Sequence, residues 1–161
     1  MRRKTLSVKI GKVFIGSDHS IKTQSMTTAS TMDTNKSVNE AIRIIQAGGK
    51  LVRFTAPNIN EAKNLLNIKD ALVAKGYDDP LVADIHFTPN AALEASKIVE
   101  KVRINPGNYV DKKKFEVKEY DDKSYQDELL KIEEKFIPLI NSCKKNNVCL
   151  LYTSPSTRDG W

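Results

Sequence analysis

Polar residues close several apolar runs of this 161-residue chain, and they are the ones most able to do chemistry. The segments are Gln24-Ser-Met-Thr27, Arg53 within Leu51-Val-Arg-Phe-Thr55, Asp84-Ile-His86, and Arg103-Ile-Asn-Pro-Gly-Asn108. In runs otherwise built of Val, Ile and Leu, an arginine is hard to explain as packing, because a buried guanidinium needs a counter-charge. Two convergent arginines, a histidine and several amide side chains are what a phosphate or diphosphate site requires. Arginine offers a planar fork of donors, and histidine donates when protonated. Pro106-Gly107 would let backbone N–H groups approach the same anion. A plainer alternative is that Arg53 and Arg103 pair with Asp84 inside the fold and His86 is merely hydrogen-bonded. His19, between Asp18 and Ser20, reads as part of an exposed turn.

The elements that must position these residues follow from apolar spacing, which switches repeatedly between strand-like and helix-like. Val8, Ile10, Val13 and Ile15, broken by Gly11 and Gly16, read as a hairpin ahead of a first core strand over 21–26. A helix over 36–47 carries Val38, Ala41, Ile42 and Ile45 on one face, with Thr34 or Asn35 as cap and Gly48 at its end. After the strand 51–55, Asn60 caps a second helix to Ala74, with a stripe of Ala62, Leu65, Leu66, Ala71 and Leu72. Strand 80–85 leads to a third helix, with Thr88 as cap and Pro89 at its first position, carrying Ala92, Ala95, Ile98 and Val99. Strand 101–104 and a charged loop over 107–123 come next. Ser124 with Asp127 resembles a capping box for a last helix bearing Leu129, Ile132, Phe136, Leu139, Ile140 and Cys143, in which Pro138 predicts a kink or break. Val148-Cys-Leu150 opens a further strand.

Strands repeated after helices predict an α/β fold with a parallel sheet. The period suits a (β/α)8 TIM-type barrel, with a doubly wound sheet as the alternative, but only four or five βα units can be counted, the first half of such a barrel. We therefore expect residues 1–150 to be the N-terminal part of a barrel domain that binds substrate. The polar stretch 151–161 departs from this pattern and resembles translated adaptor DNA, so a non-native tail is expected there.

Composition bounds the remaining classes. With 40% apolar and 29% charged residues the chain is a globular mixture, not a disordered or collagen-like one. No run is apolar and long enough to span a bilayer, and the N-terminus lacks the core of a signal peptide, so a cytoplasmic protein without membrane partners is expected. Cys143 and Cys149 have no metal-site spacing and read as reduced, structural thiols. The formal charge of +6 owes much to Arg2, Arg3, Lys4, Lys9 and Lys12. A non-enzymatic RNA-binding module acting through that basic end is one alternative, but no nucleic-acid motif accompanies it, and no nucleic-acid partner is expected.

Several of these segments together resemble the 4-hydroxy-3-methylbut-2-enyl diphosphate synthase family. They are Arg2-Arg-Lys through Val13-Phe-Ile-Gly16, Gln24-Ser-Met-Thr27, Ala47-Gly48 with Leu51-Val-Arg53, Leu81-Val-Ala-Asp-Ile-His-Phe87 and Arg103-Ile-Asn-Pro-Gly-Asn108. The resemblance implies an iron–sulfur oxidoreductase of non-mevalonate isoprenoid biosynthesis. Its TIM-type barrel would hold 2-C-methyl-D-erythritol 2,4-cyclodiphosphate, and a 4Fe-4S cluster on a separate C-terminal domain would open the ring reductively. It further implies electrons from flavodoxin or ferredoxin and a homodimer when intact. Arg53, His86, Arg103, Asn105 and Asn108 would grip the diphosphate, with Asp84 orienting it or its neighbours. Neither cysteine matches a cluster ligand of the family, and the cluster domain is expected to lie outside this chain, leaving the fragment inactive alone. A pterin- or folate-binding barrel enzyme is the same-class alternative.

Overall fold

The computed structural model describes residues 4–86, 88–105, 109 and 121–152. Two short strands, β1 (Val8–Ile10) and β2 (Val13–Ile15), form an antiparallel hairpin. Five strands then build one sheet in chain order: β3 (Gln24–Met26), β4 (Leu51–Thr55), β5 (Leu81–Ile85), β6 (Lys101–Ile104) and β7 (Cys149–Tyr152). Every neighbouring pair in it is parallel. Between them run α1 (Thr34–Gln46), α2 (Ile59–Ala74), α3 (Pro89–Ala95) and α4 (Asp122–Asn146). The expected alternation of strand and helix around a parallel sheet is present.

Register assigns each strand residue to a face, because side chains paired across a parallel sheet point the same way. Val52, Phe54, Leu81, Ala83, Ile85, Val102 and Ile104 lie on the face that the helices cover, where they join Val38, Ala62, Leu65, Ile68, Leu72 and Leu139 in the main core. The opposite face is different. At its lower end Leu51 and Val82 pack against Ile10 of the hairpin, with Ile15 and Cys149 beside them. Higher on the same face, at the C-terminal ends of the strands, stand the polar residues. The hairpin thus covers one end of this face in apolar contact and leaves the other end polar.

Helix boundaries show where local sequence was ambiguous. Asp33, not Thr34 or Asn35, caps α1, its Oδ1 accepting from Lys36 N–H at 3.0 Å. Asn58, not Asn60, caps α2, accepting from the N–H groups of Asn60 and Glu61. Asp121 caps α4 by accepting from Ser124 N–H at 2.7 Å, which replaces the expected capping box. Helix α3 ends at Ala95, short of Ile98 and Val99, and the Thr88 hydroxyl donates to Pro57 O rather than capping. The first core strand is only Gln24–Met26, with Ile21 exposed.

On α2 the buried stripe runs through Ile68, while Leu66 faces water. Pro138 does not break α4, for Glu134 and Pro138 are both exposed and water can reach the carbonyl that proline leaves unbonded. Of the expected α4 stripe only Leu139 and Cys143 are buried; Leu129 and Ile132 are exposed. Helices α1 and α2 both end in a Schellman turn with glycine in the left-handed region, Gly48 at φ +97° and Gly76 at φ +84°. Strand β7 continues past Leu150 through Leu151 and Tyr152, which pair with Arg103 and Ile104. The charged loop 110–120 and residues 153–161 lie outside the described residues.

Candidate functional site

Three adjacent strand ends bring Arg53, Asp84 and Arg103 together on the face opposite the helices. Asp84 and Arg103 are direct register partners on β5 and β6, and Arg53 on β4 pairs with Val82, one step below Asp84 on the same face. Arg103 Nη1 donates to Asp84 Oδ1 at 2.8 Å. Arg53 Nε donates to Oδ2 at 2.9 Å, and its Nη2 makes a second, short bond to the same oxygen. Asp84 is fully buried, whereas the side chains of Arg53 and Arg103 are 27% and 20% exposed. Burial alone would raise the Asp84 carboxyl, but the hydrogen bonds and charges of Arg103 and Arg53 outweigh it and hold the group below the usual carboxylate range.

The pairing of both arginines with Asp84 is therefore real, yet it does not exhaust them. A guanidinium carries five N–H donors, and only a minority of each fork is spent on Asp84. One carboxylate holding two cations leaves a net positive, partly open surface. His86, just beyond β5, puts Nε2 3.9 Å from Asp84 Oδ2 with its side chain 39% exposed. Asn105 follows β6 directly and is half-buried. Asn108, with Pro106 and Gly107, lies outside the described residues. His19 belongs elsewhere: it stacks on Phe14 of the hairpin at 5.3 Å and meets Ser7 Oγ at 3.0 Å.

Two features of the site were not legible as function in the sequence. Glu40 of α1 grips the loop after β3, accepting from the N–H groups of Thr28 at 2.7 Å and Ala29 at 3.1 Å and from the Thr28 hydroxyl. The same loop is pinned by Thr31 Oγ1 donating to Thr55 O at 2.6 Å and Asn64 Nδ2 donating to Thr31 O at 2.7 Å. Thr27, at its start, sends its N–H to Arg53 O at 2.9 Å. The loop beside Arg53 is thus held rigid. The second feature is Lys101, 8% exposed, whose register partners Val82 and Cys149 place it on the same face as Arg103.

Comparison with known families places the chain among known proteins. Residues 5–151 match the model of the GcpE TIM-barrel domain. The chain belongs to this family. Curated relatives agree with the GcpE match: 4-hydroxy-3-methylbut-2-en-1-yl diphosphate synthase (flavodoxin) of Chlamydia abortus is 52% identical over 145 residues, covering 89% of this chain and 24% of the relative. The enzymes of the same name from Bacteroides thetaiotaomicron and Akkermansia muciniphila are 49% and 50% identical, over 92% and 90% of this chain. The chain spans about a quarter of the length of these relatives. Among solved structures, 7,8-dihydropteroate synthase from Vibrio fischeri aligns over 98% of this chain and 68% of its own at TM-score 0.46 and 15% identity, a level from which nothing about function follows.

The resemblance to the synthases implies an iron–sulfur cluster, which needs several cysteine thiolates converging on one point. The described residues of this GcpE domain do not fit that need. Cys143 packs in the helix-side core and Cys149 on the opposite face of the sheet. Burial, with a smaller push from Cys149, takes the Cys143 thiol up to about 11, and burial raises Cys149 as well, so neither is a ready thiolate. No group of three or more His, Cys, Asp or Glu able to hold a metal ion occurs among the described residues. No helix among them is long and apolar enough to cross a membrane.

Proposed function

We propose that this chain is the N-terminal, substrate-binding portion of a 4-hydroxy-3-methylbut-2-enyl diphosphate synthase. On this reading residues 1–150 form the first half of a (β/α)8 barrel, with the hairpin sealing its N-terminal end and the site at its C-terminal end. The substrate is 2-C-methyl-D-erythritol 2,4-cyclodiphosphate, reduced with ring opening in isoprenoid biosynthesis. The cluster that delivers the electrons is held by residues other than those described. A flavodoxin or ferredoxin supplies electrons to the cluster, and the intact protein is a homodimer. No step of the reduction is assigned to the residues described above. Their work is to bind and orient an anion.

The observation that carries this reading is the convergence of Arg53 and Arg103 on one buried carboxylate at adjacent strand ends, in a chain of the GcpE family. Asp84 fixes both guanidiniums side by side, so their remaining N–H groups are arranged before ligand arrives, and less ordering is needed on binding. His86 and Asn105 lie around the same end, and on this reading Asn108 shares in gripping the diphosphate. A pterin-binding barrel would read its ligand at the same strand ends, but the family match and the close relatives favour the synthase.

The test is calorimetric titration of the cyclodiphosphate into the full-length protein and its Arg103→Ala variant. Loss of binding by about tenfold or more, as expected for removing a charge-assisted contact, supports the assignment. Unchanged affinity in a folded variant overturns it.

A further inference from the structure

Lys101 is the one strongly buried lysine among the described residues, and none of them pairs an acid with it. A buried ammonium is costly unless something compensates it. Its neighbours only sharpen the cost. Arg53 and Arg103 share its face, and Asp84, the carboxylate on that face, already accepts from both arginines. Cys149, across the β6–β7 register, is a thiol whose own titration burial has pushed up. Burial, reinforced by Arg53 and opposed by Cys149, lowers the Lys101 ammonium from its ordinary range.

Charge counting says what the missing partner is. Among the described residues, Arg53 and Arg103 against Asp84 leave one net positive charge on this face, and Lys101 makes it two. A cyclic diphosphate, each of whose phosphoryl groups has one ionisable oxygen, carries two negative charges. We propose that Lys101 is a further contact of the diphosphate site, its ammonium neutralising the phosphoryl charge that the Asp84-tethered arginines leave uncompensated. This inference rests on the diphosphate reading above. It assigns binding, not chemistry, to Lys101: an ammonium is a compact point charge suited to a phosphoryl oxygen, where the arginines supply the planar forks.

The full-length protein tests it through Lys101→Met, Lys101→Arg and Arg103→Ala, each titrated with inorganic pyrophosphate and assayed for KM and kcat with the cyclodiphosphate. Lys101→Met is expected to weaken pyrophosphate by about tenfold or more and to raise KM in proportion, with kcat changed far less. Lys101→Arg, which keeps the charge, restores most of the affinity. Should Lys101→Met fail to fold by circular dichroism, Lys101→Gln against Lys101→Arg gives the same comparison of charge removed and charge kept. If Arg103→Ala loses pyrophosphate while folded Lys101→Met or Lys101→Gln binds like the parent, Lys101 has only a structural role and the inference is overturned. If neither substitution alters binding, the diphosphate reading itself fails and takes the inference with it.

Discussion

Asp84 on β5 and Arg103 on β6 stand directly across the parallel register from each other, joined by a 2.8 Å bond from Nη1 to Oδ1. Arg53 occupies the other carboxylate oxygen from β4. The carboxylate is thus a clamp across three strands as well as a counter-charge. Replacing it by Asn keeps the shape and removes the charge, leaving two guanidiniums close together and uncompensated. Removing one partner of a buried ion pair costs several kcal/mol. Because both arginines retain some access to water, we expect Asp84→Asn to cost about 3 kcal/mol or less. Urea denaturation of the full-length protein measures it, and a variant as stable as the parent would show that the clamp contributes nothing to the fold.

Arg53 makes a different demand on its shape. It reaches Asp84 Oδ2 through both Nε and Nη2, a fork that lysine cannot reproduce. Arg53→Lys should keep the net charge of the face yet weaken pyrophosphate binding by about tenfold, roughly the worth of one charged hydrogen bond. Affinity equal to the parent's would mean that charge alone, without fork geometry, suffices at this position.

How much of this was legible beforehand depends on whether a residue's role is local or set by its neighbours across the sheet. Arg53, Asp84 and Arg103 stood out because charge inside a run of Val, Ile and Leu is anomalous whatever the tertiary fold. Lys101 did not, since a lysine at the first position of a strand reads as a solvated flank until the register places it between Val82 and Cys149. Glu40 read as one more charge on the polar side of α1, and nothing local to it says that Thr28 and Ala29 fold back onto its carboxylate. The caps failed for a simpler reason. Asp33, Thr34 and Asn35 are consecutive cap-forming residues, and which one accepts depends on how the chain enters the helix.

Leu65 and Leu66 separate the two readings of α2 experimentally. Leu65 is wholly buried against the sheet, whereas Leu66 is 49% exposed. Leu65→Ala should cost about 2–5 kcal/mol through lost burial and the cavity left behind. Leu66→Ala should stay within about 1 kcal/mol. Thermal melts of the two variants, compared with the parent, decide the matter; equal losses would mean that the helix is rotated relative to the sheet.

Asn147 closes α4 in the left-handed region at φ +54°, where Val148 N–H returns to Cys143 O at 2.9 Å and turns the chain into β7. Asn tolerates this conformation better than most residues, and glycine better still. Asn147→Ala is expected to destabilise by about 1 kcal/mol, while Asn147→Gly should be neutral or slightly stabilising. The order of the two midpoints in urea is the readout, and an alanine variant at least as stable as the glycine one would contradict the left-handed closure.

Glu40 gives the fold an acid-sensitive joint next to the site. Hydrogen bonds from the N–H groups of Ala29 and Thr28 hold its carboxyl below the ordinary glutamate range, against the opposing effect of burial. A carboxyl whose folded pKa is depressed contributes stability that is present above its unfolded value, about 4.3, and is lost as pH falls through the folded value. The parent should therefore lose stability below about pH 4.3 through this group, and the loop that carries Thr27 beside Arg53 should loosen with it. Glu40→Gln cannot accept from two N–H groups with a full negative charge, so it should be less stable than the parent by about 2 kcal/mol at neutral pH. The gap between the two should close on acidification. Melting curves of both proteins from neutral to acidic pH test this, and a gap that stays constant across that range would show that the Glu40 charge does not hold the loop.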